Sequence, residues 1–104
     1  MPHWVDACAA EDIETEDLIR YDHPDGRTFA IYRSPEDEFH CTDGLCTHEF
    51  VHLADGLVQG CLIECPMHNG VFDYRTGKAK RAPAYEDLKT YQTKVENGRV
   101  LIEI

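Results

Sequence analysis

Four residues of this chain can do soft-metal chemistry: Cys46 and His48 in Cys46-Thr47-His48, then, after sixteen residues, Cys65 and His68 in Cys65-Pro66-Met67-His68. Two thiolates and two imidazoles form a Cys2His2 donor set, which holds zinc or an iron-sulfur centre. Zinc modules usually pair Cys with Cys two to four residues apart and His with His three to five apart, so that each pair supplies one donor type. Here each pair is mixed. One Cys and one His per loop lets two loops grip two irons, thiolates on one and imidazoles on the other. Other iron-sulfur spacings fail on a ligand. Cys41 and Cys46 open the plant-type Cys-x4-Cys-x2-Cys pattern, but its third position holds Glu49, and a run of closely spaced cysteines is excluded because Cys61 is the next after Cys46.

Two such loops need a rigid frame, and the remaining pattern predicts short strands separated by turns. Runs 18–21 and 27–33 flank His23-Pro24-Asp25-Gly26, a hairpin signal. Residues 39–42 predict a third strand that Asp43-Gly44 turns into the first loop. Turns at Asp55-Gly56 and Gln59-Gly60 precede a strand over 61–63 that feeds the second loop, and 71–74 leaves it. Runs 91–95 and 100–104 alternate around Asn97-Gly98, which predicts a hairpin with Val100, Ile102 and Ile104 on the packed face. Only the acidic stretch 11–18 hints at helix. With 104 residues and no linker, repeat or low-complexity segment, residues 1–104 read as one all-β domain, a sandwich or barrel.

The pattern Cys-x-His, sixteen residues, Cys-x-x-His closely resembles the Rieske signature, and Pro66 and Gly70 stand where that family has Cys-Pro-x-His-x-Gly. Asn69-Gly70-Val71-Phe72-Asp73 is similar to the Gly-Gly-Arg-Phe-Asp segment of Rieske ferredoxins, with Asn69 at a glycine position that suits a left-handed residue. Lys80-Arg81-Ala82-Pro83-Ala84-Tyr85 resembles the Pro-containing third loop that shields the cluster. The resemblance covers nearly the whole chain and implies a small Rieske (ISP-like) antiparallel β-domain with one 2Fe-2S cluster. It puts Cys46 and Cys65 on the inner iron and His48 and His68 on the outer one. It further implies an electron carrier, not catalytic alone, that takes electrons from a flavin-dependent ferredoxin reductase and delivers them to a terminal Rieske non-haem iron oxygenase. Two other readings use the same four residues: a zinc-binding structural or interaction module, and a Rieske subunit of a non-oxygenase redox complex. Respiratory Rieske proteins carry an extra cysteine in each loop and a hydroxyl near the cluster sulfur; Val51, Met67 and Gly70 occupy those positions, which implies no loop disulfide and a low potential.

Twenty acidic residues against ten basic give a net charge of -10, which disfavours nucleic acid and anionic membranes and suits steering toward basic faces on redox partners. An oxidised cluster leaves this balance unchanged, since two ferric ions are cancelled by two sulfides and two thiolates; reduction adds one negative charge. No apolar stretch reaches the roughly 18 residues of a membrane span, and Met1-Pro2-His3-Trp4-Val5-Asp6 lacks a signal's basic start and apolar core. The expectation is a cytoplasmic monomer with no disulfides. Cys8, Cys41 and Cys61 read mainly as packed residues. His52 reads as an exposed loop histidine near the docking surface, Tyr85 and Tyr91 as core, and His3, His23 and His40 have no partner at ligand spacing.

Overall fold

The computed structural model describes residues 3–47, 50–67 and 69–104. Eleven strands run in the order β1 (Trp4–Ala9), β2 (Asp17–Asp22), β3 (Thr28–Arg33), β4 (Phe39–Asp43), β5 (Leu57–Gln59), β6 (Leu62–Glu64), β7 (Val71–Asp73), β8 (Ala79–Arg81), β9 (Thr90–Tyr91), β10 (Thr93–Glu96) and β11 (Arg99–Glu103). They form three antiparallel sheets, β1-β11-β10, β2-β3-β4-β9 and β5-β6-β7-β8, so the all-β expectation holds.

The middle sheet explains the sequence of β3. Phe29, Ala30, Ile31 and Tyr32 are all fully buried. Side chains alternate across a strand, and here Phe29 and Ile31 join Cys8, Ile13, Cys41, Val100 and Ile102 in one core, while Ala30 and Tyr32 join Ile63, Phe72, Tyr74 and Leu88 in another. A strand covered on both faces reads as a continuous apolar run rather than an alternating one.

The predicted hairpins form. β2 pairs with β3 from Asp17 with Arg33 to Asp22 with Thr28, closed by the His23 amide on the Arg27 carbonyl at 2.8 Å. Asn97 and Gly98 both adopt positive φ, 52° and 75°, the pair of left-handed residues that a tight two-residue hairpin requires. Val100, Ile102 and Ile104 are buried as expected.

Three expectations need correction. The stretch 11–18 is not a helix: a single 3-10 turn, Ala10–Asp12, gives way to Glu16 at φ 59° and then to β2. An acidic run without an apolar stripe has no face to bury. The strand expected over 91–95 is two strands, because the chain changes sheets at Gln92: Tyr91 pairs with Cys41 on β4, and Thr93 pairs with Ile102 on β11. Tyr85 is not core but 80% exposed. Tyr91 is half-buried, its hydroxyl donating to Asp43 Oδ1 at 2.6 Å.

Candidate metal centre

Both Cys-bearing loops close in the same way. In the first, Leu45 bridges His52 and the Cys46 amide donates to the Val51 carbonyl at 3.0 Å; in the second, Glu64 pairs with Val71 and the Cys65 amide donates to the Gly70 carbonyl at 2.7 Å. Each cysteine is therefore the first residue of a hairpin loop and sits at its root. Cys46 is 3% exposed and Cys65 1%, and both belong to the core that includes Leu53, Phe72 and Ala84. His48 and His68, the other two predicted ligands, lie outside the described residues.

A third segment ties the loops together. The Thr47 hydroxyl donates to the Glu86 carbonyl at 2.8 Å, and Arg81 Nε donates to the Asn69 carbonyl at 3.0 Å. Ala84 lies so near Gly70 that a Cβ on the glycine would stand 3.2 Å from the Ala84 Cβ and amide nitrogen. Asn69 adopts φ 59°, the left-handed conformation that its place in the loop suggested. The segment resembling a shielding loop thus packs on both cysteine hairpins.

The donor chemistry fits a thiolate-bound iron-sulfur cluster. Two cysteines at equivalent loop roots belong to one buried apolar core, and the sequence puts a histidine two or three residues beyond each. Two of the other three cysteines lie in a different core. Cys8 and Cys41 lie in the second core; burial, aided by Asp12, pushes the Cys8 thiol up to about 11, and burial pushes Cys41 up further still. Both stay protonated, and a thiol must lose its proton to bind metal. Cys61 is half-buried against the same core as Cys46 and Cys65.

His52 departs from expectation. It is 5% exposed, with Nδ1 accepting the Ala54 amide at 3.0 Å and Nε2 standing 2.8 Å from Thr28 Oγ1. Burial, then nearby Arg20, lowers its proton affinity, so the ring is neutral. Its loop position concealed this; the signal lay in Gly44, whose missing side chain makes room for the ring. Gly56 was also overlooked: it packs on the backbone of Glu64, the residue before Cys65. At the surface, the loops carry an apolar rim of Phe50 (94% exposed), Met67 (44%) and Leu45 (38%).

A small antiparallel domain that roots two matched cysteine hairpins in one buried core has the frame of an iron-sulfur protein of the electron-transfer class. The chain belongs to the Rieske [2Fe-2S] domain family, whose pattern matches residues 3–92. It is 43% identical over 101 residues to the ferredoxin component of the naphthalene 1,2-dioxygenase system of Pseudomonas putida, covering 97% of this chain and 95% of that one. It is 41% identical over 102 residues to the ferredoxin component of the naphthalene 1,2-dioxygenase/salicylate 5-hydroxylase systems of Ralstonia sp, covering 98% and 96%. Among solved structures, a complex of reduced oxygenase and oxidized ferredoxin in carbazole 1,9a-dioxygenase contains a chain with a TM-score of 0.90 and 32% identity, covering 95% of this chain and 91% of that one. The cofactor is a Rieske 2Fe-2S cluster, and the protein is an electron carrier rather than a catalyst on its own. The zinc reading is set aside.

Proposed function

We propose that this protein is the one-electron carrier of a multicomponent Rieske non-haem iron oxygenase system, accepting electrons from a flavin-dependent reductase and passing them to the terminal oxygenase. Cys46 and Cys65 hold the inner iron and His48 and His68 the outer one, in a single domain over residues 1–104 that works as a cytoplasmic monomer. The observation that carries this reading is the matched pair of hairpins, each with a buried cysteine at its root and both in one core. The relatives named as ferredoxin components of dioxygenase systems and the ferredoxin seen with its oxygenase supply the partner class. Among the described residues no helix is long and apolar enough to cross a membrane.

When bound, the cluster supplies reversible one-electron chemistry at a potential the protein tunes. The chain's own part is structural and electrostatic. Leu53, Ile63, Phe72 and Ala84 pack around the two cysteines in one core, and the closed loop roots hold them at matching positions. With a fixed frame, little reorganisation accompanies a change of charge. The net charge of -10 steers the carrier toward basic faces on both partners.

Anaerobic loading with iron and sulfide tests the ligand set. The parent, Cys41→Ala and Cys61→Ala take up two irons and give a red-brown protein with the Rieske EPR signal on reduction, whereas Cys46→Ala, Cys65→Ala, His48→Ala and His68→Ala do not. Turnover reconstituted with a reductase and candidate oxygenases tests the role. A cluster-loaded protein that accepts electrons from no such reductase and supports no such oxygenase refutes the carrier assignment while leaving the ligand set standing.

A further inference from the structure

The two cysteine hairpins share a closing pattern but not a foundation. The second rises from β6 and β7, which pair at Leu62 with Asp73, Ile63 with Phe72 and Glu64 with Val71. Among the described residues the first rests on one isolated bridge, Leu45 with His52, and on backbone bonds through Gly44, followed by the 3-10 turn Leu53–Asp55. A side chain makes up the difference.

Hydrogen-bond directions around His52 are fixed from both ends. The Ala54 amide can only donate, so Nδ1 accepts and the ring proton is on Nε2. Nε2–H then donates to Thr28 Oγ1 at 2.8 Å, and the Thr28 hydroxyl donates to Asp22 Oδ1 at 2.6 Å. That carboxylate can only accept, and Arg20 Nε holds it at 3.0 and 3.1 Å. The relay runs from the turn behind the first loop, through the ring, onto neighbouring strands β2 and β3. Backbone contacts follow the same line: the Gly44 amide donates to the Thr28 carbonyl at 2.9 Å and the Leu53 amide to the Gly44 carbonyl at 2.8 Å. Gly44 gives the ring its space, since a Cβ there would lie 3.0 Å from His52 Cε1 and closer still to Nε2.

We propose that His52 is a positioning residue for the first cluster loop: through Thr28 and Asp22 its ring clamps the neck of residues 46–51 to the middle sheet, doing for that loop what a strand ladder does for the second. The inference rests on the assignment of these loops to the cluster. It predicts that loosening the ring loosens Cys46 and spares Cys65.

Two substitutions break the Thr28 bond from its two ends and keep the Ala54 bond. In His52→Asn the side-chain oxygen replaces Nδ1 as acceptor for Ala54 while the reach to Thr28 is lost; in Thr28→Val the ring keeps its cap but Nε2–H loses its acceptor. A buried donor left unpaired costs enough to speed local opening about tenfold. The expected result in both variants is exchange about tenfold faster at the Cys46 and Leu53 amides, no change at the Cys65 amide, and a proportionate rise in the rate of cluster loss. Thr28→Ser, which keeps the hydroxyl, restores both rates. Nitrogen-15 shifts of the parent place the His52 proton on Nε2. Equal exchange at Cys46 in parent and variants, an equal rise at Cys65, or a proton on Nδ1 overturns the clamp. Because exchange reads the loop and the EPR signal reads the ligands, failure of the clamp is distinguishable from failure of the ligand set.

Discussion

Gly56→Ala perturbs the second cluster loop with a single methyl group. Gly56 has φ -91° and ψ -164°, extended backbone open to any residue, so the substitution carries no conformational penalty of its own. Its cost is steric. The new Cβ would stand 3.2 Å from the Glu64 carbonyl carbon and closer still to its oxygen, with the Leu53 oxygen 3.1 Å away on the other side. Carbon pairs rest at about 3.5–4.0 Å, so the gap has to open by several tenths of an ångström at least. Neither side gives easily: Glu64 is paired with Leu57 on one flank and Val71 on the other, and the Gly56 amide is held by the Leu53 carbonyl at 2.9 Å. Overpacking against a fixed backbone costs about 1–3 kcal/mol, which in a domain of this size lowers the melting temperature by about 5–20 °C. Since Cys65 is the next residue after Glu64, the same shift displaces a proposed cluster ligand. Melts of the loaded protein at one scan rate, followed by far-UV circular dichroism and by cluster absorbance, check this, with absorbance failing first. Gly60→Asn is the control. Gly60 has φ 59° and no atom within 4 Å of the added Cβ, and Asn tolerates that conformation, so this variant melts with the parent. A Gly56→Ala protein that also melts with the parent and keeps its absorbance refutes the close-contact argument.

With Gly70 in place of a hydroxyl-bearing residue, the midpoint potential is expected at the low end of the Rieske range, near about -150 mV; a voltammetric value above zero contradicts it. The folded Cys8 thiol, held at about 11 against 9.0 for a free thiol, keeps its proton longer than the unfolded one, so its contribution to stability is complete below pH 9 and is lost as pH rises toward 11. Urea midpoints should therefore fall between pH 8 and pH 10.5 more steeply in the parent than in Cys8→Ala, and parallel slopes would disprove the burial argument.

The sequence made local features legible and left distant ones hidden. Asn97-Gly98 and Pro24-Asp25-Gly26 announce their hairpins because the turn chemistry lies within the turn. β1 does not announce itself: its partner is β11 at the far end of the chain, with Trp4 opposite Glu103, and its buried side is a single residue, Cys8. β8 is three residues, half-exposed at best, with a register shift against β7. In the site, type and spacing proposed Cys46 and Cys65, and the fold puts both at hairpin roots in one core. The role of His52 was not legible, because it depends on Thr28 and Asp22, twenty-four and thirty residues earlier in the chain. Tyr85 misled for a related reason: a tyrosine reads as core by default, but in this loop the buried residue is its neighbour Ala84, packed on Gly70.

The five cysteines show how one residue type acquires different chemistry from the fold alone. Four of the five are buried, so burial by itself does not choose the proposed ligands. The middle sheet does. Cys41 alternates on β4 toward the core it shares with Cys8, where apolar walls and acidic neighbours hold both thiols protonated and out of competition for iron. Cys46 and Cys65 sit instead at hairpin roots, each donating its amide to loop closure, and both belong to the other core, with Leu53, Phe72 and Ala84. A site assembled this way needs no disulfide to hold it. The ladder beneath Cys65 and the histidine relay beneath Cys46 supply the rigidity that respiratory relatives of the fold obtain by cross-linking their loops.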